Sequence, residues 1–126
     1  MPLPHRRPAI LAALLVIALF VTLSASAIAR LTFDSKIKVY DSFPAFHGKV
    51  NSKGGSFCLE NRRVKMYKQR SGPDKLLGKD RTNPHGRWTV HDKAGSGAYY
   101  AKVKQLSSAS LGVTCRRDKS NVVVID

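Results

Sequence analysis

Thr82-Asn83-Pro84-His85-Gly86-Arg87-Trp88-Thr89-Val90-His91 reads as a turn followed by a strand, and this reading decides the fold. Asn83 can cap the backbone just after it, and Gly86 can take the positive φ that closes such a turn. Beyond the turn, Trp88 and Val90 alternate with Arg87, Thr89 and His91. That period of two sends one face of a strand into a core and the other into water. The alternation recurs along the chain. Ile37 and Val39 alternate with Lys36 and Lys38, and Phe46, Gly48 and Val50 with His47 and Lys49. Val64 and Met66 alternate with Arg63, Lys65 and Lys68, and Tyr99, Ala101 and Val103 with Tyr100, Lys102 and Lys104. Val122 and Val124 alternate with Asn121 and Val123, and Leu76–Thr82 reads as a further strand.

Turn chemistry separates these runs, at Lys53-Gly54-Gly55, Ser71-Gly72-Pro73-Asp74 and Gly95-Ser96-Gly97 as well as at Asn83–Gly86. No segment has a helical period, and Leu106–Leu111 is too short and too rich in Ser to hold a helix in water. Seven strands without a crossover helix predict an all-β protein: an antiparallel, seven-stranded sandwich of immunoglobulin-like or prealbumin-like kind. An open five-stranded barrel is the alternative.

The first 29 residues read as an export signal. A basic, proline-broken start (His5, Arg6, Arg7) precedes the apolar run Ala9–Leu23, then Ser24-Ala25-Ser26-Ala27-Ile28-Ala29 offers small residues for cleavage after Ala27 or Ala29. The apolar run falls short of the roughly 20 residues a spanning helix needs. An uncleaved N-terminal anchor is the alternative. Removing 29 of the 126 residues leaves 97, enough for one domain, residues 30–126. The leader holds two Arg and no acid, so the net charge of +14 becomes +12. This size and leader argue against a cytosolic enzyme, a multidomain protein and a polytopic membrane protein.

Cys58 and Cys115 are the two cysteines, and in an exported chain a pair reads first as one structural disulfide. Closing a loop between residues 57 apart stabilises a small domain by about 4 kcal/mol in the loop-entropy picture. Neither Cys has a His or another Cys within ten residues, so no metal site is expected.

The order Phe46-His47-Gly48-Lys49-Val50, Cys58, Arg63-Val64-Lys65-Met66-Tyr67, Leu77-Gly78, Thr82–Trp88 and Gly97–Val103 resembles a known module. It is similar to the prealbumin-like β-sandwiches called carboxypeptidase-regulatory-like, transthyretin-like and collagen-adhesin B-type. It is most similar to small basic secreted actinobacterial proteins of this type. Asn83, Gly86, Trp88, Gly97 and Tyr99 carry the signature. The resemblance implies a binding or adhesive module rather than a catalyst. Some adhesin modules close a Lys–Asn isopeptide bond promoted by an acid after the Gly-x-Tyr strand. Only Lys102 and Lys104 stand there, so the disulfide is expected to do the stapling.

His47, His85 and His91, with Glu60, are the acid–base candidates near neutral pH, and nothing in their spacing brings two together. No catalytic residue, cofactor or metal is expected. A small secreted hydrolase or nuclease using these His, and a protein-directed inhibitor or interaction module, are the alternatives. The stronger signal is charge: 22 Lys and Arg stand against 8 Asp and Glu. Lys49, Arg62, Arg63, Lys65, Lys68, Lys102 and Lys104 are the candidate contacts for a polyanion, attracted by field and counterion release. The expected partners are an anionic wall polymer, an acidic polysaccharide or an anionic membrane surface, met by a monomeric domain. Sequence-specific nucleic acid is not expected, because few rings interleave with the cations. Solubility and the guarding of sheet edges are the competing reasons for the charge.

Overall fold

The computed structural model describes residues 29–40, 45–92 and 95–126. The leader expected over residues 1–29 lies outside them, apart from Ala29. The described chain is all-β with one short helix. In order it forms β1 (Leu31–Phe33), β2 (Ser35–Tyr40), β3 (Ala45–Ser52), α1 (Ser56–Leu59), β4 (Arg63–Lys68), β5 (Lys75–Arg81) and β6 (Arg87–His91). Then follow β7 (Gly97–Val103), β8 (Leu106–Ser108), β9 (Val113–Cys115), β10 (Asp118–Lys119) and β11 (Val123–Ile125).

The seven-strand count is therefore corrected to 11 strands in three sheets. The seven runs with period-two alternation or turn-bounded strand character are β2 to β7 and β11. The four additional strands have two or three residues each, too few to show a period. Each forms against a partner strand, distant in sequence for β1 and across a local hairpin for β8 and β9. β1 pairs with β9 in parallel, and β8 pairs with β9 antiparallel.

Two larger sheets share one core. One has the order β2-β3-β6, and the other β10-β7-β4-β5 with β11 also on β7. Ile37, Val39, Phe46, Val50, Trp88 and Val90 of the first meet Val64, Met66, Tyr99, Ala101, Val103 and Val123 of the second. Gly48 makes room for the core tryptophan, since a Cβ there would lie 2.6 Å from the Trp88 ring. The turn before β6 has Gly86 at φ 80, and Asn83 Oδ1 accepts from the backbone N–H of His85 (2.9 Å) and Arg87 (3.0 Å).

The two seams between these sheets are closed by side chains. Asp80 on β5 accepts from Thr89 N of β6 at 2.7 Å. On the opposite edge, Asp118 accepts from Ile37 N of β2 at 3.0 Å. Asn121 accepts from Val39 N at 3.0 Å and donates to Val39 O at 3.2 Å. Strand register places both aspartates on one transverse row, Asp118–Val103–Val64–Asp80. The two valines fill the core while the acids at the ends of their row satisfy donors that an edge strand would otherwise leave open.

The third sheet is held by covalent and buried polar links. Cys58 of α1 is disulfide-bonded to Cys115 of β9. Beside it Arg62 is fully buried. Its guanidinium donates to Cys58 O (2.8 Å), Ser35 Oγ (2.9 Å), Lys104 O (2.8 Å) and Arg116 O (3.1 Å). Burial pushes its pKa down, but arginine stays charged in the physiological range. Backbone dipoles, not a carboxylate, take up that charge. Thr82 fixes the same corner by accepting from Arg62 N at 2.7 Å.

Arg62→Met is expected to lower stability by about 3 kcal/mol, because it strands several buried acceptors at once. Arg62→Lys should recover only part, since an ammonium cannot span four acceptors in a planar fork. Urea denaturation of the oxidised protein reads both, and a lysine variant as stable as wild type would contradict the fork. Cys58→Ser with Cys115→Ser should cost about 4 kcal/mol in the same measurement.

Candidate functional site

β4 and β7 are hydrogen-bonded neighbours. Their two outward faces, separate in the sequence, therefore merge into one. Lys65 of β4 lies opposite Lys102 of β7 on one side and Lys79 of β5 on the other, and Lys102 lies opposite Lys119 of β10. Four lysines thus stand in one transverse row, Lys119–Lys102–Lys65–Lys79, across four strands. Arg63 and Arg81 face each other in the next outward row, and Lys104 N is hydrogen-bonded to Arg63 O at 3.0 Å. Directly opposed residues on neighbouring strands have Cβ atoms about 5 Å apart, so like charges there repel. Asp80 and Asp118 belong to the inward row and are engaged on the seams, while Asp74 of the β4–β5 turn lies close enough to feel the charges of Lys119 and Lys102.

The crowding registers in Lys104. A hydrogen bond with Lys65, then the Lys65 charge, burial, Arg63 and Lys79 push its ammonium below the usual lysine range. Aromatic rings offset part of the repulsion elsewhere. Tyr67 and Tyr100 stack on the same face, centroids 5.4 Å apart. Lys119 Nζ sits 4.2 Å from the Tyr100 centroid, and Lys102 Nζ lies 5.4 Å from Tyr67 and 5.8 Å from Tyr100. Such contacts hold ammonium groups in place. Tyr100 is only 3% exposed even though its side of the strand faces outward, so it serves as a floor for lysines. Its hydroxyl donates to Asp74 in the β4–β5 turn.

Two open grooves flank the row. One of about 710 Å³ is lined by Lys65, Tyr67, Lys102, Lys104, Arg117 and Lys119, with Asp118 among them. The other, about 520 Å³, is lined by Arg63, Lys65, Lys79, Arg81 and Lys104 together with Asp80. A third groove, about 1260 Å³, runs elsewhere, along β2 beside Lys36, Lys38, Asn51 and Asn121.

The candidate contacts are thus divided by the fold. Arg63, Lys65, Lys102 and Lys104 come together on the β4–β7 face. Lys49 lies on the outer face of the other sheet, opposite Lys38 and Arg87. Lys68, at the end of β4, reaches over the Tyr99 ring at 5.7 Å, beside Gly97 at the start of β7. Tyr99 itself is buried and donates to Gly95 O at 2.5 Å. Arg62 is corrected outright, because it is buried and cannot meet a ligand. Lys79, Arg81 and Lys119 were not singled out from the sequence, yet Lys79 and Lys119 complete the row and Arg81 adds to the one beside it. Lys79 and Arg81 lie on β5, whose pairing with β4 slips between Met66 and Tyr67, and Lys119 lies on a two-residue strand.

Of the histidines, His47 lies opposite Thr89, two residues from His91, so those two share the outer face of β3 and β6. His85 stands in the β5–β6 turn. Among the described residues no cluster of three His, Cys, Asp or Glu could hold a metal, and no helix is long and apolar enough to cross a membrane. Neither histidine pair nor turn places a nucleophile in the basic grooves.

The Tyr100–Asp74 contact has a spectroscopic consequence. The hydrogen bond to Asp74, burial and the Asp74 charge push the Tyr100 phenol up to about 12. A raised phenol pKa favours the protonated, folded form, so this stabilisation is complete below pH 10 and is lost as pH rises from about 10 to 12. Absorbance titration should show one tyrosine ionising last, and Asp74→Asn should bring it back toward 10. The chain matches no protein-family model and none of the curated proteins compared with it, so its role rests on this geometry.

Proposed function

We propose that the chain is a non-catalytic, exported module of prealbumin-like kind that associates with anionic polymers at the cell surface or in the extracellular matrix through the β4–β7 face. One observation carries the reading: the row Lys119–Lys102–Lys65–Lys79 crosses the interior of a sheet. Lysines that guard a sheet belong on its edges. Lys65 and Lys102 stand on β4 and β7, each of which is paired on both sides. Edge protection therefore does not account for them, and solubility calls for interspersed signs rather than a row of one sign. A polyanion lying along the row turns that repulsion into attraction and releases its own counterions. The disulfide Cys58–Cys115 fits an oxidising, extracellular setting. The two-sheet core, with Trp88 following the Asn83–Gly86 turn, supports the prealbumin-like reading.

Binding of the oxidised protein to anionic wall polymer and to heparin, followed across a salt series, tests the proposal. Affinity should fall linearly on logarithmic axes as salt rises, and Lys65→Glu with Lys102→Glu should flatten that slope by about two or more. Binding no stronger than that of an unrelated protein of equal charge would overturn it. Polymer length is followed in the same samples. Cleavage abolished by His47→Ala or His91→Ala would replace the binding reading with a hydrolytic one.

A further inference from the structure

The second large sheet repeats the device of the first. Lys38 of β2 lies opposite Lys49 of β3, and Lys49 lies opposite Arg87 of β6, so a transverse row of three cations crosses the whole β2-β3-β6 sheet. Lys49 stands on the central strand, where it guards no edge. Lys38 and Arg87 are exposed, and β2, β3 and β6 contain no Asp or Glu. Because both sheets give their inward residues to one shared core, their outward rows point in opposite directions. Packed sheets lie about 10 Å apart, so the two rows are separated by the thickness of the domain.

We infer that the domain is a bridge: each outer face holds its own chain, and one molecule cross-links two strands of a linear phosphodiester polymer such as poly(glycerol phosphate). This rests on the polyanion reading above and adds a second site and a mechanical role. The choice of phosphodiester follows from the cations. Six of the seven residues in the two rows are lysines. A lysine ammonium is a compact point charge that meets a tetrahedral phosphate from any side, so a row of them can follow a polymer bearing one negative charge per repeat without the fixed fork geometry of arginine. Tyr100 is covered by Lys119, whereas Tyr67 lines the groove and Tyr40 is exposed on the other face, so a base-bearing strand is separated from a base-free one by the test.

The test tethers short poly(glycerol phosphate) to a surface, loads the oxidised protein, and measures capture of a second, fluorescent poly(glycerol phosphate) chain. Chains too short to reach round the domain are used, so one chain cannot occupy both faces. Wild type should capture the second chain. Lys38→Glu/Lys49→Glu/Arg87→Glu should still load onto the first chain but lose about tenfold or more of the capture. The neutral set Lys38→Gln/Lys49→Gln/Arg87→Gln should lose capture in the same direction, which keeps the test decisive if the reversed variant misfolds. Lys53→Glu/Arg70→Glu/Lys75→Glu, equal in charge change but on neither row, should capture as wild type does.

Loading without capture by wild type would overturn the bridge and leave the single-face reading standing. Equal loss of capture in the Lys53/Arg70/Lys75 variant would also overturn it, since bulk charge would then be the cause. No loading at all would overturn the polyanion reading itself. Capture of oligogalacturonate in preference to poly(glycerol phosphate) would overturn the phosphodiester assignment, and preference for single-stranded DNA would overturn the choice of a phosphodiester chain without bases.

Discussion

A single buried guanidinium holds the molecule's corner together. Arg62 donates to Ser35 at the start of β2, to Cys58 in α1, and to the carbonyls of Lys104 and Arg116, which flank the β8–β9 hairpin. Those contacts bring the start of β2, α1 and both ends of the β8–β9 hairpin to one point, and no apolar side chain could satisfy so many acceptors from one position. The disulfide joins two of the same segments, so covalent and polar links reinforce one point. The exposed Arg116–Asp34 ion pair nearby, with both groups largely in water, contributes little by comparison.

With that corner fixed, alternation does the rest. Adjacent transverse rows of the β10-β7-β4-β5 sheet have opposite tasks. The row Asp118–Val103–Val64–Asp80 faces inward, packs the core and closes both seams. The neighbouring row Lys119–Lys102–Lys65–Lys79 faces outward and carries charge. The acids needed to neutralise the lysines are thus drawn to the other side of the sheet by the fold's need for edge acceptors. The charged strand positions of that face are cationic because the seams take the aspartates of these strands, and Asp74 in the β4–β5 turn supplies a negative charge beside Lys102 and Lys119. The tyrosine pair beneath Lys102 and Lys119 makes the face tolerable to the folded protein, since each ring offers an ammonium a partner that needs no carboxylate.

Much of this was legible in the chain. Period-two alternation located six strands, the turns on either side of Leu76–Thr82 a seventh, and the Cys pair gave the disulfide. Arg62 was misplaced although its signal was present: it stands two residues before Val64, so the parity that sends Val64 and Met66 inward sends Arg62 inward too. Its charge argued for the surface, and only the surrounding carbonyls overrule that argument. Lys79 had no such signal, because the slip between Met66 and Tyr67 spoils the alternation of β5. Lys119 had none either, on a strand held only by its partner. The four short strands are invisible for the same reason.

By itself, the sequence determined which residues alternate, where the chain turns, which cysteines can pair, and that cations fill the polar positions of most strands. These are local properties, set by the two-residue period of a strand and by turn chemistry. The tertiary structure alone decided that β4 lies beside β7, that β10 and β5 extend the row, and that a second row crosses the opposite sheet. Strand pairing joins residues far apart in the chain, and no local period encodes it. Scattered lysines become a charged line only when hydrogen bonds bring their strands to about 5 Å from one another.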